Sequence, residues 1–273
     1  MARIAIIGLV GRSMFFEVPR FHSGGETIFA TSLYEEWGGK GFNQAVAAAR
    51  QDAAVSFLGA VNAADVKELK DFCAQEGVTA TLVAKKRPTA TAAILTDGTG
   101  ETRVTVYPGA ELEPKDVDAF AGKIAMADFL LINNEVPEEV NLAAVAIARE
   151  YGVKVIFNPA PARALPDELK KCVFLFTPNE FEEAGLGPVD CEVITTLGEK
   201  GCRIRSTDET IPASKVKAVD STGAGDTFNA VLAVRLAEGE SLRDACVTAN
   251  AAAAQSVTVR HVLPSLPSRD LNR

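Results

Sequence analysis

The residues of this sequence that could do chemistry lie in four short segments marked by glycine or proline. The most informative is Asp220-Ser221-Thr222-Gly223-Ala224-Gly225-Asp226-Thr227, which runs directly into the helical pattern FNAVLAVRLAEG. Two glycines at a helix start allow close approach to the backbone, and the first-turn N–H groups have no partners within the helix. Together with the helix dipole they make a site for an anion. Asp226 could take a proton from a hydroxyl while that oxygen attacks a phosphoryl group held by Gly223, Ala224 and Gly225. The plainer alternative is an aspartate that only stabilises the helix N-terminus.

The second segment, Trp37-Gly38-Gly39-Lys40-Gly41-Phe42-Asn43-Gln44, is another glycine-rich entry to a helix. Lys40 and Asn43 could clamp a polyhydroxyl compound or a phosphate, although a simple turn would use the glycines in the same way. It is not a Walker loop, because G-x-x-x-x-G-K-[ST] occurs nowhere in the chain. The third, Thr177-Pro178-Asn179-Glu180-Phe181-Glu182, places Asn179 and Glu182 three apart on one helix face. Such a pair suits water-mediated Mg²⁺ near phosphates, or else an ordinary Asn cap with a solvated Glu. The fourth, Thr195 to Gly201, lies between β-like runs at 193–195 and 202–205. It could receive a nucleotide or be a hairpin turn.

The elements that must position these segments are short apolar runs alternating with helical patterns. Ile4–Ile7, Val55–Leu58, Phe129–Ile132, Val153–Phe157, Val173–Phe176 and Val193–Thr195 have the length of buried parallel strands. A stripe of Val140, Ala144, Ile147 and Tyr151, closed by Gly152, marks a helix between two of them. The alternation predicts one α/β domain over residues 1–273, with a mostly parallel sheet covered on both faces. Ligands of such sheets sit beyond the carboxyl ends of the strands. Two regions break the alternation, 14–37 and 89–107; the second reads as a hairpin turning at Asp97-Gly98-Thr99-Gly100. Together they could form a small sheet standing away from the core, as a lid or a dimer surface, or an ordinary extension of the edge of the large sheet.

Length and charge narrow the classes. A chain of 273 residues can bury about 73% of its unfolded surface, so no disulfide or metal staple is needed. Lys+Arg 28 against Asp+Glu 36 leaves −8, without a basic cluster, which argues against nucleic acid and anionic membranes as partners. Five widely spaced cysteines without a C-x-x-C pair suit a reduced, cytoplasmic protein. The opening MARIAIIGLVG reads as a buried first strand rather than a signal peptide. Only two histidines are present, which makes a structural zinc site a poor reading.

Four such loops in this order resemble the ribokinase-like (PfkB) carbohydrate kinases along nearly the whole chain. GGKGFNQAVAAAR is similar to the amino-terminal signature of that family, DSTGAGDTFNAVLA to its carboxyl-terminal one, and NPAPARALPDELKKCVFLFTPNEFEEA to the central stretch of its ribokinase branch. The resemblance implies a three-layer fold with a β lid, often the dimer contact, and ATP-dependent phosphorylation of a primary hydroxymethyl group. It carries Asp226 over as catalytic base and Gly223, Ala224 and Gly225 as the anion hole. Gly39, Lys40, Asn43 and Glu135 match sugar-contacting positions. Asn179, Thr196, Gly198, Gly201 and Asn250 match positions around the nucleotide, and Glu182 the acid that organises Mg²⁺. Asp220, the carbonyl of Thr222 and Ser265 match a monovalent-cation (K⁺) site.

Several positions depart from the family pattern. The run Gly11 to Phe16 lacks the Asn and Asp expected to hold sugar hydroxyls. Phe42 replaces a small residue, His261-Val262 replaces Gly-Ala, and a helix is missing between Ala184 and Val193. The first departure leads to the expectation that ribose is not the best substrate. Phe15, Phe16 and Phe42 suggest an acceptor with an apolar face, with a nucleoside as the second possibility, unless they merely pack the lid. A catalytically silent relative that binds a metabolite is the alternative outside enzymes. An NAD-linked enzyme fails because the first strand ends in G-L-V-G.

Overall fold

The computed structural model describes residues 1–99 and 101–269. The chain begins with β1 (Arg3–Ile7), β2 (Gly11–Glu17), β3 (Ser32–Gly38), α1 (Lys40–Arg50), β4 (Ala54–Asn62), α2 (Val66–Gln75) and β5 (Val78–Lys85). It continues through β6 (Ala90–Thr96), β7 (Thr102–Tyr107), α3 (Pro114–Asp118), α4 (Ala121–Ala125), β8 (Phe129–Asn133), α5 (Glu138–Glu150), β9 (Lys154–Asn158) and α6 (Asp167–Lys170). Last come β10 (Leu175–Phe176), α7 (Glu180–Leu186), β11 (Glu192–Thr196), β12 (Cys202–Ile204), β13 (Glu209–Ile211), α8 (Ala224–Ala237), α9 (Leu242–Ser256) and α10 (Val262–Ser265).

Nine strands form one sheet in the order β13-β12-β11-β10-β9-β8-β1-β4-β5. All neighbours pair in parallel except β11–β12 and β12–β13. Successive residues of β1 serve opposite faces. Ile4 and Ile6 pack with Phe42, Val46 and Val231 of α1 and α8. Ala5 and Ile7 pack with Val140, Ala144 and Ala148 of α5. Burial on both sides is why these strands read as unbroken apolar runs. Helix α8 lies deepest: every residue from Asp226 to Arg235 is buried, so it shows no polar stripe. Helix α5 closes at Gly152, whose φ of 70° supplies the left-handed turn.

The run Val173–Phe176 yields only Leu175–Phe176 as strand. The Val173 amide still bonds the Lys170 carbonyl of α6, so pairing with β9 starts only at the Phe174 amide, bonded to the Val155 carbonyl. The two regions that broke the alternation form a separate four-stranded sheet, β3-β2-β6-β7. Its β2–β6 pair is parallel and the other two are antiparallel. The β6–β7 hairpin turns where expected: the Asp97 carboxylate accepts the amides of Thr99 and Glu101. Gly100 of that turn lies outside the described residues. Phe42 corrects one expectation. It is fully buried under the large sheet, 5.8 Å from the Phe57 ring and 6.0 Å from Phe72, so it joins neither Phe15 nor Phe16 on a substrate surface. No helix among the described residues is long and apolar enough to cross a membrane.

Candidate active site

The two glycine-led helices meet. Helix α1 packs along α8, and their first turns bring Asn43 and Gln44 onto Asp226. The Asn43 Nδ2 donates to Asp226 Oδ2 at 2.8 Å and the Gln44 Nε2 to Oδ1 at 3.1 Å. Asp226 is only 5% exposed. Burial pushes its carboxyl pKa up, against the Lys40 ammonium and the two amide donors. The same carboxylate, aided by Glu135 and Glu182, holds Lys40 above its ordinary value despite desolvation.

Gly223 is the N-cap of α8 at φ 80°. A Cβ there would stand 2.6 Å from Cγ1 of Val262, whereas a Cβ on Gly225 would meet nothing within 4 Å. That open space belongs to a cleft of about 680 Å³ lined by Lys40, Asn179, Glu182, Thr196, Gly198, Gly223, Gly225 and Asp226. Among the described residues no acceptor faces the Gly225 and Asp226 amides, while the Ala224 amide leans on the Ser221 carbonyl at 3.3 Å. Free amides, an open floor and Lys40 opposite fit the phosphate chain of a nucleotide.

On the other side of Lys40, its backbone amide donates to Glu135 Oε2 at 2.7 Å. Glu135 follows β8, and its own amide bonds Asn133 Oδ1 at 2.9 Å. Burial pushes its carboxyl up to about 7, with Lys40 opposing and Asp226 adding to the rise. Gly39, at φ 99°, lies against the Leu9 carbonyl, and Gly41 against Cα of Gly8. These close approaches seat the start of α1 at the carboxyl end of β1, where an α/β sheet binds its ligands.

The remaining expected residues divide. Asn179 and Glu182 line the cleft but also form a reciprocal capping box: Asn179 Oδ1 accepts the Glu182 amide at 2.8 Å and Glu182 Oε2 the Asn179 amide at 2.9 Å. The segment from Thr195 to Gly201 is a hairpin turn, β11 to β12, whose Thr196 and Gly198 also face the cleft. Gly201 does not face it. At φ 99°, a side chain there would collide with the Ile211 carbonyl, so this glycine lets the turn close on β13. Asn250 is also absent from the cleft lining: it is buried on α9, donating to the Ile211 carbonyl at 3.0 Å. Asp220 accepts the amides of Thr222 and His261, each at 2.9 Å, and the Ser265 hydroxyl is given to the Val262 carbonyl at 2.8 Å. The Asp220 and Ser265 side chains matched to a monovalent cation are thus oriented by backbone hydrogen bonds.

Two residues at the site were not anticipated. Gln44 neighbours Asn43 in the same first turn, and the polar pair before the apolar run AVAAA was its only signal. Asn229 donates to the Gly225 carbonyl at 2.8 Å and accepts from the Thr177 hydroxyl, tying α8 to the end of β10. A polar residue in an otherwise apolar helix was the available hint.

The model of the "pfkB family carbohydrate kinase" matches residues 1–269. The chain belongs to the pfkB family. This pfkB kinase is 34% identical to the ribokinase of Haemophilus influenzae over 97% of its own length and 95% of the relative's. It superimposes on the ribokinase of Thermotoga maritima with a TM-score of 0.88 at 31% identity, covering 100% of this chain and 98% of that one. The Arabidopsis thaliana ribokinase complexed with ribose and ATP matches at a TM-score of 0.86 and 26% identity, covering 100% and 98%. The pfkB kinase is therefore an ATP-dependent carbohydrate kinase on a three-layer α/β fold. Relatives named ribokinase leave the expectation against ribose without support.

Proposed function

We propose that this kinase transfers the γ-phosphoryl group of ATP to the primary hydroxymethyl group of a sugar or sugar-like alcohol. The observation that carries this reading is the Asp226 carboxylate, held by Asn43 and Gln44 at the floor of the open, amide-lined cleft. Asp226 takes the proton of the attacking hydroxyl. The Gly223-Ala224-Gly225 backbone and Lys40 receive the charge on the phosphoryl oxygens. Gly39, Asn43 and Glu135 orient the acceptor. Asn179, Thr196 and Gly198 border the nucleotide side. Among the described residues no three His, Cys, Asp or Glu side chains converge to ligate a metal directly. Glu182, which fits a water-mediated role, would hold Mg²⁺ beside the phosphates.

A nucleoside acceptor is the second reading, favoured by a second cleft of about 660 Å³ that shares Ser221 and Thr222 with the first. Its walls include Phe15 and Ile94 of the small sheet and His261, apolar and aromatic surface suited to a base. We assign the small sheet as the lid, with Gly11–Gly38 and Ala90–Tyr107 as its two segments. Its edge strands expose Leu33, Val104, Val106 and Tyr107, which supports a homodimer through the lid. The free cysteines are consistent with the cytoplasm. The deciding experiment is ADP release from Mg-ATP across pentoses (ribose included), hexoses, sugar alcohols and nucleosides. If no compound raises release above the acceptor-free rate, the proposal fails.

A further inference from the structure

Glu36 is a buried acid on β3, 7% exposed, with no cation in salt-bridge contact among the described residues. Its two oxygens accept the backbone amides of Val262 at 2.9 Å and Leu263 at 3.0 Å. A buried carboxylate without a counter-ion is costly unless its hydrogen bonds are complete, so its placement calls for a reason beyond packing. The turn that it grips is connected to the anion cradle twice. Cγ1 of Val262 occupies the space beside Gly223 where a Cβ would otherwise sit. His261 and Thr222 donate their amides to the same Asp220 carboxylate. The far end of the turn is held from α1: Arg50 Nη1 donates to the carbonyls of Leu263 at 2.5 Å and Leu266 at 3.0 Å. The continuous segment β3–α1, which carries Lys40, Asn43 and Gln44, therefore holds both ends of the turn that braces Gly223.

We propose that Glu36 is a positioning residue for phosphoryl transfer: acting through Val262, it fixes the Gly223 cradle relative to the Lys40–Gln44 segment. The inference rests on the proposed kinase reading, because it concerns the alignment of the same two groups. Displacing a cradle by about 1 Å can cost roughly 10²-fold in rate. The carboxamide of Glu36→Gln retains one acceptor and turns an N–H₂ toward the other amide. Val262→Ala leaves both amides with Glu36 but removes the brace on Gly223.

The test is a double-mutant cycle of Glu36→Gln and Val262→Ala, with kcat and both KM values measured. It is accompanied by hydrogen exchange of residues 221–226 and 260–266. Each single variant is expected to lower kcat about 10–100-fold with little change in the acceptor KM. The double variant should be no worse than the poorer single, since both act on one path. Exchange should quicken at 221–226 as well as at 260–266. Normal kcat in a folded Glu36→Gln protein, multiplicative losses in the double variant, or faster exchange confined to 260–266 would each overturn the proposal. Should Glu36→Gln not fold, Val262→Ala decides alone, and an unchanged kcat refutes it. A wild type that phosphorylates no acceptor refutes the kinase reading instead, and the exchange pattern then judges Glu36 independently.

Discussion

Asp226→Asn separates chemistry from folding at the centre of the site. The replacement keeps the shape but turns one carboxylate oxygen into an N–H₂ facing a donor, either Asn43 Nδ2 or Gln44 Nε2. The local remedy is close at hand. Asn43 Oδ1 and Gln44 Oε1 are both buried without a partner, so rotating one carboxamide presents an acceptor to the new N–H₂. The charge balance has two sides. Burial raises the Asp226 pKa in spite of Lys40, so the folded state binds this proton more tightly than the unfolded chain. The stability contributed by such a group is fully present below its unfolded pKa and is lost as pH rises through the folded one. The neutral variant removes that buried charge, but it also takes from Lys40 the carboxylate that holds it above its ordinary value. Asp226→Asn is expected to remain folded with a cooperative melting transition. Its kcat should fall by about 10²–10⁴ through loss of the general base, or about 3–5 kcal/mol of barrier. Coupled ADP release at saturating ATP, beside thermal unfolding followed by circular dichroism, reads both quantities. Turnover within tenfold of wild type, a bound set below that expected loss, would refute Asp226 as the base.

Gly225→Ala meets no atom within 4 Å, so it should leave the melting temperature intact while obstructing the cradle and weakening ATP turnover at least tenfold, a loss of about 1.4 kcal/mol; unchanged kcat/KM for ATP would mean that phosphate does not lie there. Gly223→Ala should instead destabilise the fold by more than about 1–2 kcal/mol, because a left-handed residue gains a Cβ that also strikes Val262; a normal melting curve would contradict this. With Glu135 titrating at about 7, kcat/KM for the acceptor should fall as pH drops through that value, and Glu135→Gln should remove the limb; its persistence would assign it to another group. Exchanging K⁺ for tetramethylammonium at constant ionic strength should change the rate little, since His261, at φ 66°, puts a side chain where the family pattern has glycine; a collapse in rate would show that the loop still holds a cation.

What could be read in advance followed from local chemistry. Strands buried on both faces announce themselves as apolar runs, and Asp97-Gly98 announces a hairpin, because each signal is complete within a few residues. Asp226, Lys40 and Asn43 were legible for the same reason, as polar groups at glycine-led helix starts. Side-chain direction was not. Phe42 is an aromatic beside a binding loop in the sequence, yet the 3.6-residue turn of α1 points it away from Asn43 and into the core. Asn250 sits on a helix face that meets β13, a neighbour far away along the chain. Glu36 could not be singled out, because its partners are the amides of Val262 and Leu263, which no residue type reveals. Asn179 and Glu182 illustrate a further limit: spacing of three serves a helix cap and a ligand pair equally, and here the cap is formed.

The parallel β2–β6 pair bears on the order in which the chain assembles. It places Gly11 opposite Ala90, with β4, α2 and β5 threaded through the large sheet in between. Neither the β2–β3 ribbon nor the β6–β7 hairpin is a stable sheet by itself, since isolated two-stranded ribbons are marginal in water. Pairing them requires the long intervening stretch to be ordered first, and distant strand pairings form late because loop-closure entropy must be met before their contacts repay it. The small sheet is therefore expected to be a late-folding piece, completed only once β1, β4 and β5 are in register. A nascent chain that has just emerged past β5 holds the β2–β3 ribbon but not the β6–β7 hairpin that completes the small sheet.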